Sequence, residues 1–357
     1  MENFIILTFN ISEVNSNFDK INKAQLLDNL SEILQPNLNN IYFISSQEDE
    51  IYSKYIHNIK KIFNSEKFFF YESKYISPYA KIIGNNYNIH SLVIIPIHLM
   101  KNNNIKIETI KKINHNNGYT KGSIIVKLSD EYADVYLISS HLPMSNKTSD
   151  LGYNKREKSV LEVLKYIDNK MNQNKLNYLL WTGDLNFRID LDINGHRKDQ
   201  IQRLLIPTVN SKLSMKLQDL SQINNNHPTC KTVMNNKKIE CDETCTREKS
   251  CNSCYDVKSK KGVRIPSYCD RVLAWSNVGQ FVDFTTSTLN AKDFPFIKFS
   301  DHNPIISSIR LPIPNDYFYD NNDNEEDTLI GGGIIFMNKL TKYKQKYTYL
   351  FRKYISF

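Results

Sequence analysis

Cysteine is scarce: the chain has 6 in 357 residues, and four of these, Cys241, Cys245, Cys251 and Cys254, crowd into one polar stretch. A disulfide-stapled scaffold is excluded, and a reducing compartment is expected. Glycine and proline number 11 each, too few for a collagen-like or low-complexity polymer. No stretch reaches the roughly 18 uninterrupted apolar residues of a membrane-spanning helix. The opening MENFIILTFN has no basic segment and too short an apolar run for a secretion signal, and the closing YISF has no cysteine for prenylation. The expected location is the cytoplasm, with any membrane contact peripheral, at the cytosolic face. Charge of one sign is also lacking. The 46 Lys and Arg exceed the 38 Asp and Glu by only 8, which favours phosphorylated ligands, nucleic acid or an acidic membrane without choosing among them.

A hydrophobic fraction of 40% is enough to bury a large core, so one large α/β domain with extensions, or two domains, is expected. Short β-rich apolar runs predict strands over Phe4–Asn10, Ile41–Ser46, Phe68–Tyr75, His90–Leu99, Ser123–Leu128, Asp134–Ser139, Tyr178–Thr182, Val272–Trp275, Val282–Thr286 and Pro304–Arg310. Helical periodicity puts Leu26, Leu30, Ile33 and Leu34 on one face of Ile21–Gln35, and Val160, Val163, Leu164, Ile167 and Met171 on one face of Arg156–Met171. Many hairpin-length strands with helical covers point to sheet packed on sheet with helices outside, an α/β (α+β) four-layer α/β/β/α sandwich.

The most informative string is WTGDLNFR, Trp181 to Arg188, which follows the apolar strand NYLL. Gly183 permits a tight turn, Asp184 supplies a carboxylate for a water or a metal, and Asn186 supplies an amide donor for a phosphate oxygen. A hairpin turn in which Asp and Asn bond only their own backbone is the plain alternative. Further polar clusters close or precede predicted strands: SSQE at 45–48, SSHL at 139–142, PSYCDR at 266–271 and SDHNP at 300–304. Glu48 suits Mg²⁺, which takes one or two carboxylates and completes its shell with water and substrate phosphate. His302 beside Asp301, together with His141, offers imidazoles to a reacting phosphate. Each residue alone reads as a solvated strand end or a structural histidine. Together they form the set that metal-assisted phosphate hydrolysis requires.

The two strings WTGDLNFR and PSYCDRVL resemble the signatures of the inositol polyphosphate 5-phosphatase family, a branch of the endonuclease/exonuclease/phosphatase superfamily. The resemblance runs from Phe4 to Leu311 and includes TFN at 8–10, QE at 47–48, KGS at 121–123, PT at 228–229 and SDHNP. It implies the sandwich of that superfamily, with Asn10 and Glu48 at a Mg²⁺ and Asp184 activating or orienting the attacking water. Asn186 and His302 would hold the scissile phosphate, Asp270 would orient His302, and His141 would approach the same phosphate from another strand. Arg188 and Arg271 would brace the site. For the neighbouring phosphate the family's PTYK string reads PTCK here, which keeps Lys231 but replaces the aromatic hydroxyl with Cys230. Tyr255 and Asp256 stand for a YD pair and Arg264 for the family's Arg. The family's Lys falls on Gly262, leaving Lys260 or Lys261 to reach that place.

The implied activity is Mg²⁺-dependent removal of the 5-phosphate from phosphoinositides such as phosphatidylinositol 4,5-bisphosphate, or from soluble inositol polyphosphates, with no nucleic-acid partner. The alternatives are a metal-dependent nuclease of the same superfamily and a catalytically inactive phosphoinositide-binding module. Residues 1–313 read as the catalytic domain, with a Cys-rich insert at 237–256. In that insert four thiols can bind a structural Zn²⁺; two surface disulfides or four free thiols are the other readings. Residues 314–336 read as an acidic and Gly-rich linker. Residues 337–357 read as a basic aromatic tail, either a peripheral anchor to anionic membrane or a frayed end that the acidic linker partly neutralises.

Overall fold

The structure is a computed structural model, and it describes residues 3–11, 21–50, 52–76, 88–115, 121–144, 149–187, 189–191, 197–205, 215–222, 258–259, 262–263, 268–290, 293–300 and 302–312. In chain order the elements are β1 (Asn3–Asn10), α1 (Lys23–Leu34), β2 (Asn40–Asp49), α2 (Lys54–Ile62), β3 (Phe68–Tyr75), β4 (Asn88–Pro96), α3 (Ile97–Asn102), β5 (Lys106–Asn114), β6 (Gly122–Ser129) and β7 (Ala133–His141). There follow α4 (Ser149–Asp168), β8 (Leu176–Asp184), β9 (Ile189–Leu191), β10 (Arg197–Asp199), α5 (Ile201–Leu205), β11 (Gln218–Asp219), β12 (Lys258–Ser259), β13 (Gly262–Val263), β14 (Asp270–Ser276), β15 (Phe284–Thr288) and β16 (Ile305–Arg310). Contacts divide the chain into Met1–Pro312 and Ile313–Phe357, and the second unit lies outside the described residues. Among those residues no helix is long and apolar enough to cross a membrane.

Two mixed sheets form the body, one ordered β15-β16-β1-β2-β4-β3 and the other β11-β14-β8-β7-β6-β5. Each contains one parallel pair, β1 with β2 and β7 with β8. A parallel pair needs a crossover, and α1 and α4 supply it. Strand alternation sends Phe4, Ile6, Ile41 and Phe43 to one face, where they meet Val126, Leu137, Leu180 and Val272 of the other sheet in a shared core. The opposite faces bury Leu7, Phe9 and Tyr42 against Leu26, Leu30, Tyr55 and Ile59 of α1 and α2, and Ile138, Leu179 and Trp181 against Val160, Val163 and Ile167 of α4. The result is the expected α/β/β/α sandwich.

Local signals place the covers. Asn22 caps α1, its Oδ1 accepting from Ala24 N at 3.1 Å and Gln25 N at 3.2 Å, and Ser53 Oγ accepts from Ile56 N at 3.1 Å to start α2. The strand expected to reach Leu99 stops at Pro96, where α3 begins, as suits a residue that removes a ladder donor. β5 and α2 are additions to the elements expected.

Candidate active site

The sandwich gathers its chemistry at one edge. Asn10 closes β1, Glu48 lies one residue from the end of β2, His141 closes β7 and Asp184 closes β8. Asp270 opens β14, which runs antiparallel to β8 and sets Asp270 opposite Asp184; His302 precedes β16, which runs antiparallel to β1. Chain starts of β14 and β16 therefore meet chain ends of the other four strands. In β1, β7, β8 and β14 the site residues continue the alternation that sends Ile6, Leu137, Leu180 and Val272 between the sheets. Glu48 has the wrong parity for that face, but a register shift lies between Gln47 and Asp49 and Glu48 has φ of 54°. That bulge re-aims its side chain.

Contacts knit the cluster. Asn10 Nδ2 donates to Asp184 Oδ2 at 3.1 Å, and the backbone N–H of Asn186 donates to Asp184 Oδ1 at 3.1 Å. His141 Nε2 lies 3.2 Å from Asp184 Oδ2 and 3.7 Å from Glu48 Oε1. His302 Nδ1 and Asp270 Oδ2 are 2.7 Å apart, in a buried pair. Ser300 Oγ fastens this half of the site, donating to Asn10 O at 2.6 Å and accepting from His302 N at 3.0 Å. Gly183 makes the close approach possible: its φ is 137°, and a Cβ there would stand 2.0 Å from Ser140 O. No other residue type fits.

Burial would push the pKa of Asp184 up, but the hydrogen bond from His141 and the charges of His302, His141 and Lys121 outweigh it and hold this carboxyl well below the usual carboxylate range. It is a carboxylate at neutral pH. His141 is pushed down, first by burial and then by the ammonium of Lys121, with Asp184 and Glu48 opposing.

Two sets of groups can receive a cation. Glu48 and Asn10 offer hard carboxylate and amide oxygens beside Asp184, and the Glu48 side chain is 31% exposed, so the donor chemistry fits Mg²⁺ with room for water and phosphate. Asp184, Asp270 and His302 each bring a ligand atom to within 4.8 Å of the others.

Not every expected residue joins the cluster. Arg271 does not: it has the opposite parity to Asp270, and its Nη1 bonds Asp219 Oδ2 at 2.7 Å with both side chains 1% exposed. The resemblance implies that Arg271 braces the site; its guanidinium is engaged in an internal ion pair that ties β14 to β11. Asn186 reaches the site, with φ of 55°, and donates from its amide to Leu142 O at 2.9 Å, tying the turn after β8 to the end of β7. Arg188, Asp301, Lys231, Tyr255, Asp256, Lys260, Lys261, Arg264, Cys230 and the cysteines at 241, 245, 251 and 254 lie outside the described residues. The sequence marks Lys121 only as part of KGS, yet its ammonium contacts His141 Nε2. The available signal was a lone cation just before the strand that pairs with the one ending in SSHL.

The chain belongs to Endonuclease/Exonuclease/phosphatase family 2, whose model matches residues 7–308. That places it among the hydrolases of the superfamily. A curated relative, phosphatidylinositol 3,4,5-trisphosphate 5-phosphatase 1 of Xenopus laevis, is 24% identical over 328 residues, covering 86% of this chain and 30% of the relative. The chain thus spans under a third of that relative's length. Among solved structures, the inositol polyphosphate 5-phosphatase domain of SpSynaptojanin, in complex with inositol (1,4)-bisphosphate and calcium, matches with a TM-score of 0.56 at 15% identity over 87% of this chain and 84% of that one. Cimex nitrophorin matches with 0.53 at 15% identity over 87% and 99%, and TDP2 from C. elegans with 0.50 at 14% over 87% and 75%. Such different names on one fold mean that the side chains at the edge, not the sandwich, must argue the function.

Proposed function

We propose that this chain is a Mg²⁺-dependent phosphomonoesterase that removes the 5-phosphate from phosphoinositides or soluble inositol polyphosphates. The observation that carries the reading is the meeting of Asp184, held as a carboxylate, with the Asp270–His302 pair, their ligand atoms within 4.8 Å of one another. In-line attack on a phosphomonoester asks for a placed water and for neutralised charge on the equatorial oxygens, with little covalent help. Asp184 orients the water and draws on its proton. His302, fixed by Asp270, gives a hydrogen bond to a phosphoryl oxygen. Asn186 holds the turn that carries Asp184. Glu48 and Asn10 would hold the divalent cation, which would supply neutralisation of the negative charge of the phosphoryl group.

The inositol headgroup and the 5-position are supported by the string PSYCDR and by the names of the relatives. The test incubates the protein and Mg²⁺ with phosphatidylinositol 4,5-bisphosphate vesicles, soluble inositol 1,4,5-trisphosphate and abasic duplex DNA. Phosphate release from an inositol substrate, abolished by EDTA and with the DNA intact, is expected. Strand breaks without phosphate release would transfer the site to the nuclease reading. Neither product would leave a non-catalytic binding module.

A further inference from the structure

Glu48 reaches the site only because β2 is bulged, and the bulge has a fastening of its own. Gln47 lies opposite Ile89 and Asp49 opposite Asn88, so Glu48 is an extra residue in the strand. Tyr42 and Ile44 point to the sheet face covered by α1 and α2, and alternation puts Ser46 there as well. Without an extra residue the same count would put Glu48 on that helix-covered face and Asp49 on the opposite one. Their places are exchanged. Ser46 Oγ donates to Asp49 Oδ2 at 2.5 Å, with both side chains fully buried. His90, opposite Ser46 in the register, shares this face with Leu92 and Ile94, and its Nδ1 lies 3.7 Å from the same Asp49 oxygen. Two residues three apart on a regular strand stand on opposite faces and cannot meet, so the Ser46–Asp49 bond exists only in the bulged register. Further bonds hold the turn: Glu50 N donates to Asp49 Oδ1 at 2.7 Å, and Asn88 Nδ2 donates to Asp49 O at 3.0 Å. Such support is needed, because Glu48 has φ of 54°, a conformation that a residue with a Cβ keeps only where its surroundings impose it.

We propose that Asp49 is a positioning residue for the cation site: its carboxyl, fastened to Ser46 on the helix-covered face, locks the bulge that aims Glu48 toward His141 and Asp184. The inference rests on the part of the phosphomonoesterase reading that makes Glu48 a cation ligand, and it adds a residue that acts on the cation only through Glu48.

Binding of Mn²⁺, which accepts the same oxygen donors as Mg²⁺, tests this without turnover and is read from the loss of the free-ion electron paramagnetic resonance signal. The proteins compared are wild type, D49A, D49N, E48Q and the double variant D49A/E48Q. D49A should bind about 10- to 100-fold more weakly than wild type, as when other residues that orient a metal ligand are removed. Asparagine keeps an oxygen for Glu50 N and an amide that can donate to Ser46 Oγ, so D49N should stay within about threefold of wild type. In the E48Q background D49A should add less than about twofold, because its effect passes through Glu48. Wild-type affinity in D49A, or the full loss repeated in the E48Q background, overturns the proposal. Equal binding by wild type and E48Q removes Glu48 from the cation and overturns it as well. Should D49A fail to fold, S46A deletes only the bond peculiar to the bulge; about 2- to 10-fold weaker binding is expected, and unchanged affinity overturns the role. Mn²⁺ affinities as expected, with no phosphate released from any inositol substrate, would support Asp49 and sink the phosphomonoesterase reading alone.

Discussion

Acidification from pH 7 to pH 5 should destabilise this fold through its buried histidines, among them His115. Its Nε2 lies 2.7 Å from Ser123 Oγ, which lies 2.5 Å from Ser140 Oγ, which accepts from Trp181 Nε1 at 2.8 Å. The chain runs through β6, β7 and β8 beneath the site. The His115 side chain is fully buried, with Glu162 Oε2 3.6 Å from its Nδ1, and burial pushes its pKa down to about 4 from 6.5. The neutral imidazole is thus the form that folds. Its stabilising contribution is complete above the unfolded pKa of 6.5, and it shrinks as pH falls from there toward 4, because the unfolded chain then binds a proton that the folded one refuses. The slope approaches about 1.4 kcal/mol per pH unit. Integrated from pH 7 to pH 5 the loss is about 2 kcal/mol, a sizeable part of a total of roughly 5–15 kcal/mol.

Urea unfolding of wild type and His115→Gln at both pH values isolates this residue. His90 and His141 are also pushed down by burial and lose stability in the same direction, but they are present in both proteins and cancel. The depressed carboxylates Asp184, Asp134 and Glu72 act below the ordinary carboxylate range, outside this window. Wild type should lose about 2 kcal/mol more than the variant between pH 7 and pH 5. Equal losses would refute the assignment, and a larger loss in the variant would reverse its sign.

Other outcomes follow from the same geometry. Gly183→Ala forces a Cβ to 2.0 Å from Ser140 O at a φ of 137°, so urea denaturation should show a loss of about 3 kcal/mol or more, and a loss below about 1 kcal/mol would contradict the close approach. Asp270→Asn keeps an acceptor for His302 but removes the charge, so kcat for phosphate release should fall by roughly 10²- to 10⁴-fold with the thermal transition nearly kept; an unchanged kcat would remove His302 from the reaction. Glu48→Gln should raise the Mg²⁺ concentration for half-maximal activity by about tenfold or more, read by titrating Mg²⁺ in the phosphate assay, and an unchanged midpoint would place the cation elsewhere. For the insert bearing Cys241, Cys245, Cys251 and Cys254 we propose a structural Zn²⁺: elemental analysis should find about one zinc per chain, lost in Cys251→Ser with Cys254→Ser, whereas four titratable thiols without zinc would refute it.

Much of this was legible because strand ends and polar strings coincide. An apolar run that stops at Asn10, at His141 or at Asp184 announces both the strand and the residue at its mouth, and helical periodicity announced α1 and α4. Alternation is legible too, and applied to PSYCDR it would have set Arg271 on the face opposite Asp270. The spacing cannot show the bulge that turns Glu48 inward, since no residue type marks φ of 54° there. β5, with KIETIKKIN largely exposed along an edge, lacks the apolar alternation that betrays a strand. α2 is nine residues long, too short for periodicity to stand out, and it is secured by burying Tyr55, Ile56 and Ile59. Lys121 was hidden because its partner, His141, is brought to it only by the pairing of β6 with β7.

The most direct measurement is ³¹P NMR of inositol 1,4,5-trisphosphate during incubation with the protein and Mg²⁺, run beside Asp184→Asn. Selective loss of the 5-phosphate resonance, with inositol 1,4-bisphosphate accumulating in wild type and not in the variant, is the predicted result. Loss of a different phosphate, equal turnover by the variant, or an unchanged spectrum would contradict it.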